Sequence, residues 1–322
     1  MNKTLAMRDA LLERVWEQMG SDENIFFVTA DFGSPVLDKI RADFPNRFVN
    51  VGIAEQNLIN ISSGLSLEGY KVFAYAIAPF ITMRCFEQLR VNLALMHKVR
   101  KINVNLIGVG AGYSYVVSGP THQCYEDISL IRNLPNFELY SPSDQHTASA
   151  LVGLCIENDG PKYLRLDAQP LCPLRTVVGK YTLKDGFEVL KDGCGGVLIT
   201  TGYMTHTAIA VANQLSPKLD LCVVDIFNLT SFNREKLSAI IKNFHTTFTL
   251  EEGFIERGGV DAVVGALIRQ QKINCHHEPI GVEPDYRFEL GSRDELHALV
   301  GIDRNTVTKK VEHMCNALKV AS

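Results

Sequence analysis

The sequence has 322 residues, 46% of them hydrophobic and 21% charged, with a formal net charge of −4 at pH 7. That is a globular composition, and it holds no basic block of the kind that binds nucleic acid or an anionic membrane surface. No apolar run reaches membrane-spanning length, residues 1–19 lack a signal-peptide core, and the 8 cysteines include no C-x-x-C pair, so the expectation is a cytoplasmic protein with reduced thiols.

Residues 5–19 put Leu5, Leu11, Leu12, Val15, Trp16 and Met19 on one face, with Arg8, Asp9, Glu13, Arg14 and Glu17 around it. This predicts an amphipathic helix. Strands are then predicted over 25–29, 48–53, 71–76, 104–109, 137–140 and 163–166. Helices are predicted over 54–67, 80–97, 125–133 and 144–157. The alternation predicts a parallel sheet covered by helices. Pro170, Pro173 and the polar stretch that follows mark a linker over 171–186. A shorter alternation comes after it, with strands at 196–200, 221–225 and 246–250 and helices at 205–215, 234–243 and 258–270. The expected fold is α/β with parallel or mixed sheets, in two domains, 1–170 and 187–322. Cys275-His276-His277 reads as a surface loop, because adjacent side chains do not easily face one ion.

Two segments carry chemistry. In Val51-Gly52-Ile53-Ala54-Glu55-Gln56-Asn57, Glu55 follows a strand end and opens a helix. Ligands of open parallel sheets bind at the carboxyl ends of strands, although a first-turn acid is also favoured by the helix dipole alone. Further on comes Gly119-Pro120-Thr121-His122-Gln123, followed by Glu126-Asp127. A Gly-Pro turn is an ordinary structural element, but it carries a histidine able to donate or accept a proton near neutral pH.

Together these segments resemble the pyrimidine-binding half of transketolases, which depend on thiamine diphosphate. The resemblance implies that Glu55 hydrogen-bonds a ring nitrogen of the cofactor's aminopyrimidine and favours its imino tautomer. It implies that His122 contacts the donor's oxygens. Ile53, together with Phe80 and Arg84 from the segment Phe73–Arg90, would surround the pyrimidine, with Phe80 stacking on it. Asp31, in Thr29-Ala30-Asp31-Phe32, would lie close to the cofactor. Core packing remains an alternative for Phe80, and turn capping for Asp31.

Three positions depart from the family pattern, and all concern substrate. Ser118 stands where the family has Asp before G-P-T-H, and Gly110 stands where it has an upstream His. The expected phosphate-binding arginine falls near Leu166, with Arg165 as the candidate substitute. These departures imply an unusual ketose, a deoxy or branched sugar, or a 2-oxo acid donor.

The family's Gly-Asp-Gly and later Asn, which hold the diphosphate through Mg²⁺, are absent from the sequence. Asn158-Asp159-Gly160 and Lys191-Asp192-Gly193 are not preceded by Gly. The resemblance nevertheless runs from Met7-Arg8-Asp9-Ala10 through Thr201-Gly202 to Glu251-Glu252-Gly253. It implies a split enzyme in which a separate subunit provides the diphosphate domain and its hard oxygen ligands for Mg²⁺. No metal ligands are expected in this chain, and an α2β2 heterotetramer with interfacial active sites is expected. Two other readings stay open: a decarboxylative carboligase like 1-deoxyxylulose-5-phosphate synthase, and a non-catalytic binding subunit.

Overall fold

The computed structural model describes residues 5–216 and 218–321, without the side chains of 318–321. Among the described residues, six parallel strands form the first sheet: β1 (Ile25–Thr29), β2 (Phe48–Asn50), β3 (Lys71–Ile77), β4 (Asn103–Val109), β5 (Glu138–Tyr140) and β6 (Gly160–Leu166). Their order is β2-β1-β3-β4-β6-β5. The chain steps from β1 outward to β2 and then returns to the other side of β1 for β3. A crevice therefore opens at the carboxyl ends of β1 and β3, where open α/β sheets bind ligands. Every residue of β4 and β6 is buried, as expected for strands covered by helices on both faces.

Helices Met7–Ser21 and Gln145–Glu157 pack on one face and Glu55–Leu67 on the other. Asp144 caps Gln145–Glu157, its Oδ1 accepting the Thr147 N–H at 2.9 Å. The predicted 80–97 helix runs on to Val99 but is not a uniform α-helix. Phe80–Arg84 and Leu89–Leu95 are π-helical, a local widening that recurs at functional sites. Two other expectations are corrected at this level. The strand predicted over 48–53 stops at Asn50, and the helix predicted over 125–133 is confined to Asp127–Arg132.

The second sheet contains β7 (Phe187–Lys191), β8 (Gly196–Thr200), β9 (Leu221–Ile226), β10 (Thr246–Phe254) and β11 (His276–Val282), in the order β11-β10-β8-β9-β7. All pairings are parallel except β7 with β9. Of Cys275-His276-His277, only Cys275 lies in a loop: His276 opens edge strand β11, which pairs with β10. The stretch 171–186 contains a short helix, Lys180–Asp185, and is fastened by Arg175. Its guanidinium reaches Asp225 at 2.6 Å, Glu188 at 3.2 Å and the Thr147 hydroxyl at 2.6 Å.

The two sheets share one apolar interior. A single cluster runs from Val104 and Leu106 of β4 to Val197, Ile199 and Val224 of β8 and β9. Buried ions stitch the same boundary. Arg293 donates to Glu252 at 2.8 and 2.5 Å and to Asp167 at 2.6 Å, with its guanidinium over the Tyr203 ring. Burial opposes charge on Glu252, but Arg293 and His297 outweigh it and hold the carboxyl well below the usual range.

Candidate active site

Residues 51–54 form a loop instead of extending β2, and Asn50 shapes it. The Asn50 Oδ1 accepts the N–H groups of Asp31 and Gly52, each at 3.0 Å, while its Nδ2 donates to Asp31 Oδ1 at 3.0 Å. Gly52 takes φ +76°, a left-handed conformation that suits glycine. The turn pushes Ile53 outward, 77% exposed, and delivers Glu55, buried, to the first turn of its helix.

The Glu55 carboxylate is held from the β3 side. Arg84 Nη1 donates to its two oxygens at 3.1 and 3.3 Å. The Arg84 guanidinium also lies 3.8 Å from the centroid of the Phe80 ring. The Phe80 ring in turn meets the His122 imidazole edge-on, with centroids 5.2 Å apart. Four residues from three chain segments thus form one continuous row: Glu55, Arg84, Phe80, His122. Ile53, Glu55, Gln56, Asn57, Asn60 and Arg84 line a cavity of about 600 Å³ at its Glu55–Arg84 end.

His122 sits in a turn whose hinge is Gly119, at φ +70°. The Gly119 carbonyl accepts the N–H groups of His122 and Gln123, each at 3.1 Å. The His122 Nδ1 faces the Thr121 hydroxyl at 3.0 Å. Gln123 is buried; its Oε1 accepts from the Tyr125 hydroxyl, and its Nε2 has no protein partner.

The other predicted positions fall differently. Asp31 is exposed, at φ 54°, and its carboxylate is engaged with Asn50. It therefore braces the Glu55 loop from the neighbouring strand end. Ser118 is exposed on the near side of the turn, its carbonyl 3.4 Å from the Thr121 hydroxyl. Arg165 corrects the sequence expectation. It is 4% exposed, its Nε donates to both Asp127 oxygens at 3.0 and 2.9 Å, and its Nη2 reaches the carbonyls of Cys124 and Glu252. A guanidinium spent on a buried carboxylate and two carbonyls does not present itself to a substrate, and Arg165 belongs to the boundary between the sheets. At Gly110, φ +102°, a Cβ would stand 2.0 Å from the Tyr115 ring. Tyr115 fills the place of any side chain there.

Asn50 and Tyr115 were not singled out from the sequence. Asn50 carries a weak signal, an Asx residue two before a glycine. Tyr115 carries none, because its meeting with Gly110 is made by the loop. Asn158–Gly160 leads into the amino end of β6, opposite the end that holds Glu55, and Lys191–Gly193 lies at the end of antiparallel β7. Among the described residues, no group of three or more His, Cys, Asp or Glu side chains could hold a metal ion. The residues present fit the aromatic and hydrogen-bonding needs of an aminopyrimidine: a partly exposed ring, a buried carboxylate and an open cavity beside them. They do not offer the oxygen set of a magnesium diphosphate.

Residues 3–173 match the transketolase pyrimidine binding domain. The chain belongs to the transketolase family. Residues 186–307 match the transketolase C-terminal domain. The chain is 28% identical over 317 residues to an apulose-4-phosphate transketolase subunit of Phocaeicola vulgatus, covering 96% of this chain and 97% of that one. It is 26% identical over 305 residues to a 6-deoxy-6-sulfo-D-fructose transketolase subunit of a Clostridium species, covering 94% and 92%. It is also 27% identical to 1-deoxy-D-xylulose-5-phosphate synthase 1 of Geobacter metallireducens, over 93% of this chain but 47% of that protein. Among solved structures, a split-gene transketolase in the form of an inactive β4 tetramer superimposes with TM-score 0.84 at 27% identity, over 98% and 99% of the two chains. The family and the α/β architecture expected from the sequence are thereby established. So is membership among transferases of the transketolase type, and thiamine diphosphate is the cofactor the family implies.

Proposed function

We propose that this chain, with a pyrimidine-binding domain over 1–170 and a C-terminal domain over 187–322 joined by a linker over 171–186, is one subunit of a split transketolase, which transfers a two-carbon ketol unit from an unusual ketose to an aldose. A second subunit would hold the diphosphate and Mg²⁺, and the assembly would be an α2β2 heterotetramer with its active sites at the interface. The observation that carries this reading is the row Glu55–Arg84–Phe80–His122 at the switch point of the first sheet, in a sequence without a diphosphate motif.

Bound thiamine diphosphate supplies the carbon nucleophile and the electron sink for ketol transfer. The chain's own contribution is positional and protonic. Glu55 holds or gives a proton at a pyrimidine ring nitrogen, its direction fixed by Arg84 and by the Asn50-braced loop. Phe80 offers an aromatic face. With Nδ1 turned to Thr121, His122 has Nε2 for a donor hydroxyl or carbonyl. The cavity beside Glu55 admits a ring from the open side, where a second subunit would close it against water.

Substrate choice rests on the departures. Ser118 has no charge with which to read a hydroxyl configuration, Tyr115 blocks a side chain at 110, and Arg165 is withdrawn into the protein. None of these offers the phosphate anchor of pentose-phosphate enzymes. Two of the relatives, both transketolase subunits, bear the names of unusual sugars, apulose 4-phosphate and sulfofructose. A decarboxylating reading is kept because a deoxyxylulose phosphate synthase matches the chain at similar identity.

The test is to assemble the chain with a second transketolase chain that carries the Gly-Asp-Gly domain, add thiamine diphosphate and Mg²⁺, and assay xylulose 5-phosphate, hydroxypyruvate, pyruvate and branched or deoxy ketoses. Normal turnover of xylulose 5-phosphate would overturn the altered-substrate reading. Pyruvate decarboxylation would favour the carboligase. In that assembly Glu55→Gln should lower transfer by about 10³-fold, in the middle of the range for loss of a catalytic acid–base group, with folding unchanged. Retention of a tenth of wild-type activity would remove Glu55 from the chemistry.

A further inference from the structure

One segment of the C-terminal half reaches the candidate site without belonging to it. Between Val282 at the end of β11 and Arg293 at the start of the helix Arg293–Val300, the chain forms a loop over 283–292. Both ends are fixed. Val282 is buried in the sheet, and Arg293 is buried in its pairings with Glu252 and Asp167. Ser292 and Glu295 form a reciprocal capping box at the helix start. Yet the loop exposes large apolar side chains: Tyr286 is 55% and Leu290 62% exposed. Residues so open contribute little burial to stability, so their placement calls for another reason.

Tyr286 is hydrogen-bonded to the segment that carries His122, and Leu290 stands beside it. Leu290 Cδ2 lies 3.6 Å from where a Cβ on Gly119 would stand. Gly119 is the residue whose carbonyl holds the backbone of His122 and Gln123. The Tyr286 hydroxyl donates to Glu126 Oε1 at 2.8 Å, and Glu126 Oε2 accepts the Tyr125 N–H at 3.0 Å. The Tyr286 ring continues an aromatic line through Phe254 to Tyr125, with centroid spacings of 5.8 and 5.0 Å. The loop therefore flanks the His122 turn, beside Gly119 through Leu290 and bonded to Glu126 through Tyr286, from a frame locked into the second sheet.

We propose that Tyr286 and Leu290 are positioning residues for His122, so that the C-terminal domain sets the geometry of the site through this loop. The proposal rests on the reading of His122 as the donor-contacting residue. Small displacements of a positioned group are costly to catalysis, so the loop governs donor handling. It reaches neither Glu55 nor Arg84, which lie on other segments and meet His122 only through the Phe80 ring.

The test compares wild type with Tyr286→Phe, Leu290→Ala and the double variant, using Leu299→Ala as an exposed apolar control in the same half. Ring resonances of His122, identified by their loss in His122→Gln, are followed by NMR in the full-length chain. Steady-state kinetics with hydroxypyruvate and thiamine diphosphate affinity are measured in the two-subunit assembly. The double variant should shift the His122 resonances and lower kcat/KM for hydroxypyruvate by about tenfold. Cofactor affinity should stay within about twofold of wild type, and Leu299→Ala should change nothing. Unmoved His122 resonances in the double variant, or an equal kinetic loss in Leu299→Ala, would overturn the proposal. If wild-type assembly transfers nothing from any donor, the functional reading fails, and the NMR comparison still decides whether the loop positions His122.

Discussion

Arg84 serves two neighbours at once. It donates to both oxygens of Glu55 and stacks on Phe80, while its own side chain is half exposed. The pair is open to solvent on the Arg84 side only, Glu55 being buried, and it fixes the direction of that carboxylate. Replacing Arg84 with Met should weaken thiamine diphosphate binding in the assembled enzyme by about tenfold, or 1.4 kcal/mol. Isothermal titration would measure this, and unchanged affinity would separate Arg84 from the cofactor. The adjacent Cys85 is no rival for chemistry. Burial, reinforced by the nearby Glu55 carboxylate, pushes its thiol up to about 12, where the reactive thiolate is scarce at neutral pH.

Elements deliver these residues through their ends. The row is built from the carboxyl end of β2, the π-helical start after β3 and the turn after β4. Helix Pro35–Asp43, absent from the sequence-based expectation, begins with Ser34 as cap and Pro35 at the first position, a recognised start signal. Helix Arg293–Val300 was also unpredicted, although Ser292 and Glu295 spell a capping box. Ser292→Ala should cost about 1 kcal/mol by chemical denaturation; a loss below a few tenths would mean that Arg293 alone fixes the helix start. Strands β7 and β11 escaped detection for a different reason. They are edge strands with incomplete burial, and β11 contains Pro279, which an edge tolerates and a central strand does not. The seven buried residues of β4 left no such ambiguity.

For the whole molecule, the boundary between the sheets carries the most concentrated charge. Arg293→Met would strand Glu252 and Asp167 in the interior and should destabilise the protein by about 3–5 kcal/mol, measurable by urea unfolding. Two adjacent acids there respond to pH in opposite senses. Burial and the neighbouring Asp261 push Glu251 up to about 7, so the folded state binds a proton that the unfolded chain releases near pH 4.3. Its contribution to stability therefore falls as pH rises from about 4.3 to 7. Glu252 is held low, so its contribution is present at neutral pH and is lost as pH falls through its folded-state value. Glu251→Gln should flatten the decline of unfolding temperature between pH 5 and 7. An unchanged slope would assign that decline to other groups.

The sequence alone determined the alternation of strands and helices, because period and β-branching are local properties. It also marked Glu55 and His122, whose motifs are contiguous and survive without three-dimensional context. It identified the missing diphosphate motif for the same reason. Only tertiary structure decided which side chains meet. Arg165 stands in the sequence where a substrate anchor was sought, but Asp127, 38 positions away, claims it in the interior. Arg84 and Phe80 join Glu55 because the sheet reverses its order between β1 and β3. Tyr115 fills the space above Gly110, and the 283–292 loop reaches the His122 turn from the far half of the chain. These meetings depend on long-range packing and burial, which no local window of residues records.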